Sequence, residues 1–151
     1  MNNVIFGING PVVTIKNSTD FSMLEMVYVG NERLIGEVIG IDSTTTTIQV
    51  YEETSGLTVG EPVVSTGNPL SLTLGPGIIS GIFDGIERPL REIAKNSGNF
   101  IERGSDIPAL NTEKLWDVTV CVNVGDAVTS GQIIATCPET ASIEHRIMIP
   151  P

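Results

Sequence analysis

Over the first half of the chain, apolar positions alternate with polar ones in short segments. "NVIFGI" and "PVVTIK" flank Asn9-Gly10, a dipeptide suited to a two-residue hairpin turn because both positions tolerate positive φ. "EMVYVG", "RLIGEVIGID", "TTIQVYEE" and "EPVVST" follow, separated by Gly30-Asn31, the run Asp42 to Thr46, Gly56 and Gly60. Short strands at such spacing predict a closed barrel or a sandwich rather than a parallel sheet with crossover helices. A small closed β-barrel over residues 1–68 is expected, since closure removes the unpaired edges that short strands otherwise expose.

The pattern changes after Pro69. "LSLTL" alternates with period two, Gly75-Pro76-Gly77 breaks it, and Ile78, Ile79, Ile82, Phe83 and Ile86 then recur at helical offsets. "PLREIAKNSGNF" predicts a second helix, with Pro89 at its first turn and Gly98 near its end. Residues 69–115 therefore read as a strand-helix-helix connector that ends in the polar stretch "FIERGSDIPALNTEK". From Trp116 strands return in "WDVTVCVNVG", "QIIATC" and "HRIMIP". Val118, Val120, Val122 and Val124 are expected on one side of the first of these. The single turn of the type "VGDAVTSG" fits one hairpin of a biotinyl- or lipoyl-like half-barrel, so residues 116–151 read as the start of a truncated β domain. The fold class is mainly β.

Composition narrows the function. The 151 residues are 40% apolar and 17% charged, ordinary for a folded domain, and carry a net charge of -10. That sign argues against nucleic acid and anionic membrane surfaces, both of which favour Lys/Arg patches. No export signal and no apolar run of about 18 residues is apparent, so membrane insertion is not expected. The two cysteines, Cys121 and Cys137, lack any Cys-x-x-Cys or Cys/His spacing and are expected as buried free thiols.

Candidate chemistry centres on the glycines. Gly75, Gly77 and Gly81 form G-x-G-x-x-x-G, one residue longer than the simplest dinucleotide fingerprint. Glu102 stands where the ribose-binding acid would be, but "LSLTL" lacks the continuous apolar character of a buried parallel strand. Gly and Pro breaking a strand so that a helix can turn away is the simpler reading. A P-loop is excluded within this sequence: the lysines are Lys16, Lys95 and Lys114, and none follows a glycine. His145, the only histidine, is expected at an exposed strand end. Glu52 and Glu53 are neighbours, so on a strand they face opposite ways and cannot act as a pair. A swinging-arm carrier would need a lysine at an exposed turn, and none lies after Lys114.

Two motifs, "IQVYEETSGLTVGEPVVSTG" and "LSLTLGPGIISGIFDGIERPL", closely resemble in order and spacing the catalytic A subunit of V-type and archaeal-type rotary ATPases. "GINGPVV", "FIERGSDIPALNTEKLWDVTV" and "VGDAVTSGQIIATCPET" fit the same family, so the likeness covers essentially the whole sequence. It implies the N-terminal part of a subunit that hydrolyses or synthesises ATP coupled to H+ or Na+ transport, using ATP/ADP and Mg. The barrel would hold the alternating hexameric ring of A and non-catalytic B subunits together. Central and peripheral stalk subunits would be the other partners, and the complex would be cytoplasmic and peripheral to a membrane. By the same likeness, "GPGIISGIFDG" is a passage leading toward the nucleotide-binding domain; the ATP-gripping loop and catalytic glutamate lie beyond residue 151. No catalytic, cofactor-binding or metal residue is therefore assigned in this sequence, and the 151-residue stretch alone is expected to be inactive. A stand-alone β-rich binding module without motor activity is the alternative from another class; an enzyme holding a dinucleotide on the Gly-rich stretch is the third.

Overall fold

Six of the segments picked out by alternation become strands: β1 Ile5–Asn9, β2 Val12–Lys16, β3 Glu25–Val29, β4 Leu34–Ile41, β5 Thr45–Val50 and β6 Val63–Pro69. The structure is a computed structural model that describes residues 3–16, 20–98, 100–105 and 107–151. All six strands join one antiparallel sheet in the order β1-β2-β5-β4-β3-β6. Its inner face carries the alternate residues Val13 and Ile15, Val27 and Val29, Leu34 and Val38, Ile48 and Val50. With Ile5, Phe21 and Val63 they form one buried cluster, and Ile8 and Leu57 pack against it. At roughly 1.5–3 kcal/mol per buried aliphatic side chain, this cluster is the main source of stability in the region. Gly36 lies on the inner face between Leu34 and Val38; a Cβ there would come within 2.9 Å of Ile48 Cγ2 and 3.0 Å of the Gln49 carbonyl oxygen. The missing side chain lets β4 and β5 close over the core.

The expected closed barrel is not present as a continuous ladder, because β1 and β6 are the two outer strands. Among the described residues, an isolated antiparallel bridge between Val4 and Pro62, just before each strand, links the two edges. Three backbone bonds support it: Ile5 N–H to the Glu61 carbonyl at 2.9 Å, Gly60 N–H to Ile5 at 2.8 Å, and Val63 N–H to Asn3 at 2.8 Å. Pro62 has no N–H to continue such pairing, which limits the contact to a seam.

The chain divides into two units, Met1–Ser71 with Ser97–Asp106, and Leu72–Asn96 with Ile107–Pro151. The return of residues 97–106 to the first unit was not legible in the polar stretch read as a connector. Arg103 donates to the Ser55 carbonyl and pairs with Glu32 at 3.2 Å, and Gly104 N–H donates to Glu52 Oε2 at 3.0 Å. Gly104 has φ +63, and a Cβ at this position would collide with the Glu32 carbonyl oxygen. Only glycine fits there.

In the second unit two expectations fail. Ser71–Leu74 forms no strand, and Leu72 and Leu74 are exposed. The helix read at Ile78–Ile86 is a series of turns, so the connector has one helix among its described residues, α1 Leu90–Ser97. Gly81 and Gly85 disfavour a helix by about 1 kcal/mol each relative to Ala. Asp84 meanwhile captures local N–H groups, those of Ile86 at 3.1 Å and Arg88 at 2.9 Å, in place of helical bonding. The rest is a three-stranded sheet in the order β7-β8-β9, made of Thr119–Val120, Ile133–Pro138 and Glu144–Met148. The long valine strand shrinks to two residues, and Val118, Val120 and Val124 are exposed. Alternation alone does not bury a face; a second layer is required.

Candidate functional site

Strand-like segment, glycine-rich turn and apolar run are together the sequence outline of a phosphate cradle, so the turn's N–H groups decide what it can bind. Gly77 has φ +105 and Cβ space that ends 3.3 Å from Trp116 Cζ2, so a side chain fits poorly there. This conformation turns the N–H groups of Gly77 and Ile79 toward one point, the geometry of an anion-binding nest. The point is filled from within the same unit. Glu139, in the turn after β8, places Oε1 2.8 Å from Gly77 N and 3.0 Å from Ile79 N. Its side chain is 1% exposed. The expected strand break followed directly by a helix is thus replaced by a turn closed on a carboxylate. Phosphates do not fit a nest already holding an acid.

The lysines have intramolecular partners. Lys16 lies over the Phe6 ring at 3.8 Å, Lys114 over Trp116 at 3.6 Å, and Lys95 pairs with Glu92 at 2.7 Å. Glu52 and Glu53 lie beyond the end of β5 rather than on a strand, and they take different partners. Glu52 binds the N–H groups of Ile35 (3.2 Å) and Gly104 (3.0 Å), while Glu53 accepts from Ser55 N–H and Oγ. Glu102 is exposed. His145 is not an exposed strand end. It lies within β9, its side chain is 19% exposed, and its Nδ1 is 3.6 Å from Glu139 Oε2. The thiols divide too: Cys137 is buried as expected, but Cys121 is exposed because the segment around it lacks a covering layer. Among the described residues, no group of three or more His, Cys, Asp or Glu side chains could hold a metal. No helix among them is long and apolar enough to cross a membrane.

Sequence reading missed three acids that gather backbone donors, Glu25, Asp84 and Glu139. Glu25 sits on the inward face of β3 at 3% exposure and accepts from Ser22 N–H at 2.7 Å, Gly67 N–H at 2.9 Å and the Ser65 hydroxyl. Burial works against its ionisation, but these donors outweigh it and hold the carboxyl below the usual range. Asp84 is similar: burial is opposed by the Arg88 N–H and guanidinium and by Ile86 N–H, and its carboxyl is also held low. Glu25's parity with Val27 and Val29 was the available signal; Glu139 gave none, because its partners lie about 60 residues away.

Open surfaces among the described residues include a cleft and an apolar patch. Beside the Gly-rich turn is a cleft of about 430 Å³ whose lining includes Ser80, Phe83, Arg91, Asn96, Leu110 and Trp116. On the first unit, Phe6, Met23, Leu24, Ile39, Ile41 and Val64 are 41–56% exposed. Leu24 N–H bonds the Val38 carbonyl at 2.9 Å, which sets Met23 and Leu24 beside the outward-facing Ile39.

Residues 5–67 match the family model for the beta-barrel domain of the ATP synthase alpha/beta family. Residues 107–151 match that for the ATP synthase alpha/beta subunit barrel-sandwich domain. The chain belongs to the ATP synthase alpha/beta family. Within it, the sequence is 54% identical over 144 residues to the V-type ATP synthase alpha chain of Halothermothrix orenii, covering 95% of this chain and 24% of that protein. It is 54% identical over 148 residues to the V-type ATP synthase alpha chain of Thermoanaerobacter pseudethanolicus, covering 98% and 25%. It is 52% identical over 146 residues to V-type ATP synthase alpha chain 2 of Clostridium tetani, covering 97% and 25%. The chain spans about a quarter of the length of these family members.

Proposed function

We propose that the chain is the N-terminal segment of the ATP-hydrolysing and ATP-synthesising catalytic chain of a V/A-type rotary ion-translocating ATPase. The observation that carries this reading is the match to V-type ATP synthase alpha chains at about half identity over nearly every residue present. Residues 1–68, which include the beta-barrel domain match, join neighbouring catalytic and non-catalytic B subunits into an alternating hexameric crown. Residues 69–115 lead toward the nucleotide-binding domain, and residues 116–151 begin the inserted β domain. The exposed apolar side chains around Met23, Leu24 and Ile39 suit a unit covered laterally by neighbours. ATP, magnesium and the central and peripheral stalks belong to the whole protein, whose complex lies on the cytoplasmic side, peripheral to the membrane. The Glu139-filled turn supports assigning no nucleotide contact to this segment.

Two measurements test the proposal. Titration calorimetry of the 151-residue chain with Mg-ATP is expected to give no heat of binding; micromolar affinity would overturn the reading of Gly75 to Gly81 as a passage. Light scattering is expected to show a monomer or weak oligomer alone and hetero-oligomers only with the non-catalytic partner. A tight hexamer of the chain by itself would count against it.

A further inference from the structure

The Glu139 carboxylate has one oxygen engaged and one stranded. Oε1 takes two N–H groups, whereas Oε2 is buried without a hydrogen-bond partner among the described residues. A buried ionised oxygen without a donor is costly, and the cost falls when a cation faces it. The group in place is His145, whose Nδ1 is 3.6 Å from Oε2 and whose side chain is 19% exposed. An imidazolium would present an N–H at that distance, and a neutral imidazole need not. The other titratable side chains on β8 and β9 do not take this role. Cys137 lies opposite His145 in the β8–β9 register and is a buried thiol. Glu144 and Arg146 flank it on β9, point to the other face, and pair with each other at 3.8 Å. The turn at 76–80 contains only Pro, Gly, Ile and Ser.

We propose that Glu139 and His145 form a proton-sensitive latch that fastens the Gly-rich turn at 76–80 to the β8–β9 hairpin. The carboxylate occupies the nest of Gly77 and Ile79, and protonated His145 supplies the charge that keeps it there. The hairpin turn is itself braced, since Glu139 and Thr140 N–H groups both donate to the Ile143 carbonyl at 2.9 and 3.1 Å. With the latch closed, turn and hairpin move as one body, so a displacement of either is passed to the other. Loss of the proton from His145 leaves Oε2 uncompensated and loosens the grip.

Amide hydrogen exchange on the full 151-residue chain tests this directly, since His145 is its only histidine and any histidine-dependent step belongs to it. In Glu139→Ala, protection of the Gly77 and Ile79 amides is expected to fall at least about tenfold, the loss of their shared acceptor. Amides of Val27 and Val38 in the first unit and of Cys137 in the hairpin keep theirs, showing that the chain is folded. In the unsubstituted chain, protection at Gly77 and Ile79, corrected for intrinsic exchange, shows a pH step and is higher at about pH 5 than at about pH 8. That step disappears in His145→Gln and in Glu139→Gln, the second of which retains an acceptor for the two amides and is the variant best able to fold. Unchanged protection at Gly77 and Ile79 in Glu139→Ala would overturn the latch. A pH step that survives in His145→Gln would remove His145 from it.

Discussion

The two units are built from the same material, short antiparallel strands joined by glycine-rich turns, and end in different condition. In the first, alternation along the strands converges on one cluster in which Val13, Val27, Val29, Leu34, Val38 and Ile48 are fully buried. In the second, the buried hydrophobic residues among those described are Ile93, Ala135 and Cys137, while Leu115, Val120 and Val124 are exposed. The sequence patterns are comparable. What differs is whether strands exist to cover the inner face. A period of two names the side of a strand that can be buried; burial itself comes from the opposing layer.

The largest consequence should appear in hydrogen exchange. Amides in the middle of β2 to β5 are expected to exchange only through global opening, and those of β7 to β9 orders of magnitude faster through local opening. Equal, strong protection of both sheets in a monomer would erase the contrast and show the second unit to be complete as it stands.

Single substitutions sharpen it. Leu34→Ala removes a fully buried side chain and should cost about 2–5 kcal/mol by urea denaturation. Val124→Ala, at a fully exposed position, should change stability by less than about 0.5 kcal/mol. Similar costs at both sites would mean that the valine face is covered in solution.

A smaller effect concerns the acid buried in the first unit. Glu25→Ala strands the Ser22 and Gly67 N–H groups and the Ser65 hydroxyl, a loss of about 1–3 kcal/mol. Because the folded-state value of Glu25 is lowered, its ionised form stabilises the fold fully above the usual carboxylate range. That contribution is lost as pH falls through the lowered value. Denaturation midpoints of the unsubstituted chain should therefore drop on acidification, and the drop should be smaller in Glu25→Ala. An identical pH dependence in both would place the acid sensitivity elsewhere, Asp84, Asp42, Glu53 and Glu61 being the other carboxyls held low among the described residues.

Much of the first sheet was legible because each strand carried its own alternation, and turns were marked by Asn9-Gly10, Gly30-Asn31, the run from Asp42, and Gly56 and Gly60. The failures share a cause. "LSLTL" and "WDVTVCVNVG" have the rhythm of strands, yet Ser71–Leu74 pairs with nothing as a strand and only Thr119–Val120 of the valine run joins a sheet. Ile78 to Ile86 has helical spacing, but Gly81, Gly85 and the self-bonding Asp84 favour turns. Glu139 was invisible for another reason. Nothing in "CPET" says that its carboxylate will occupy a nest formed by Gly77 and Ile79, because that fit is made by tertiary folding.

The Val4–Pro62 seam bears on how such units can aggregate or polymerise. A free strand edge is a template on which a neighbouring chain can add a strand, and growth of that kind has no natural stop. At the seam, Ile5, Gly60 and Val63 have already given their N–H groups to the other edge, and Pro62 has none to give. An incoming backbone finds no ladder there to extend. Contacts between copies at this place are left to side chains, which select a partner by shape and can close into a finite assembly, whereas backbone pairing would accept almost any extended segment.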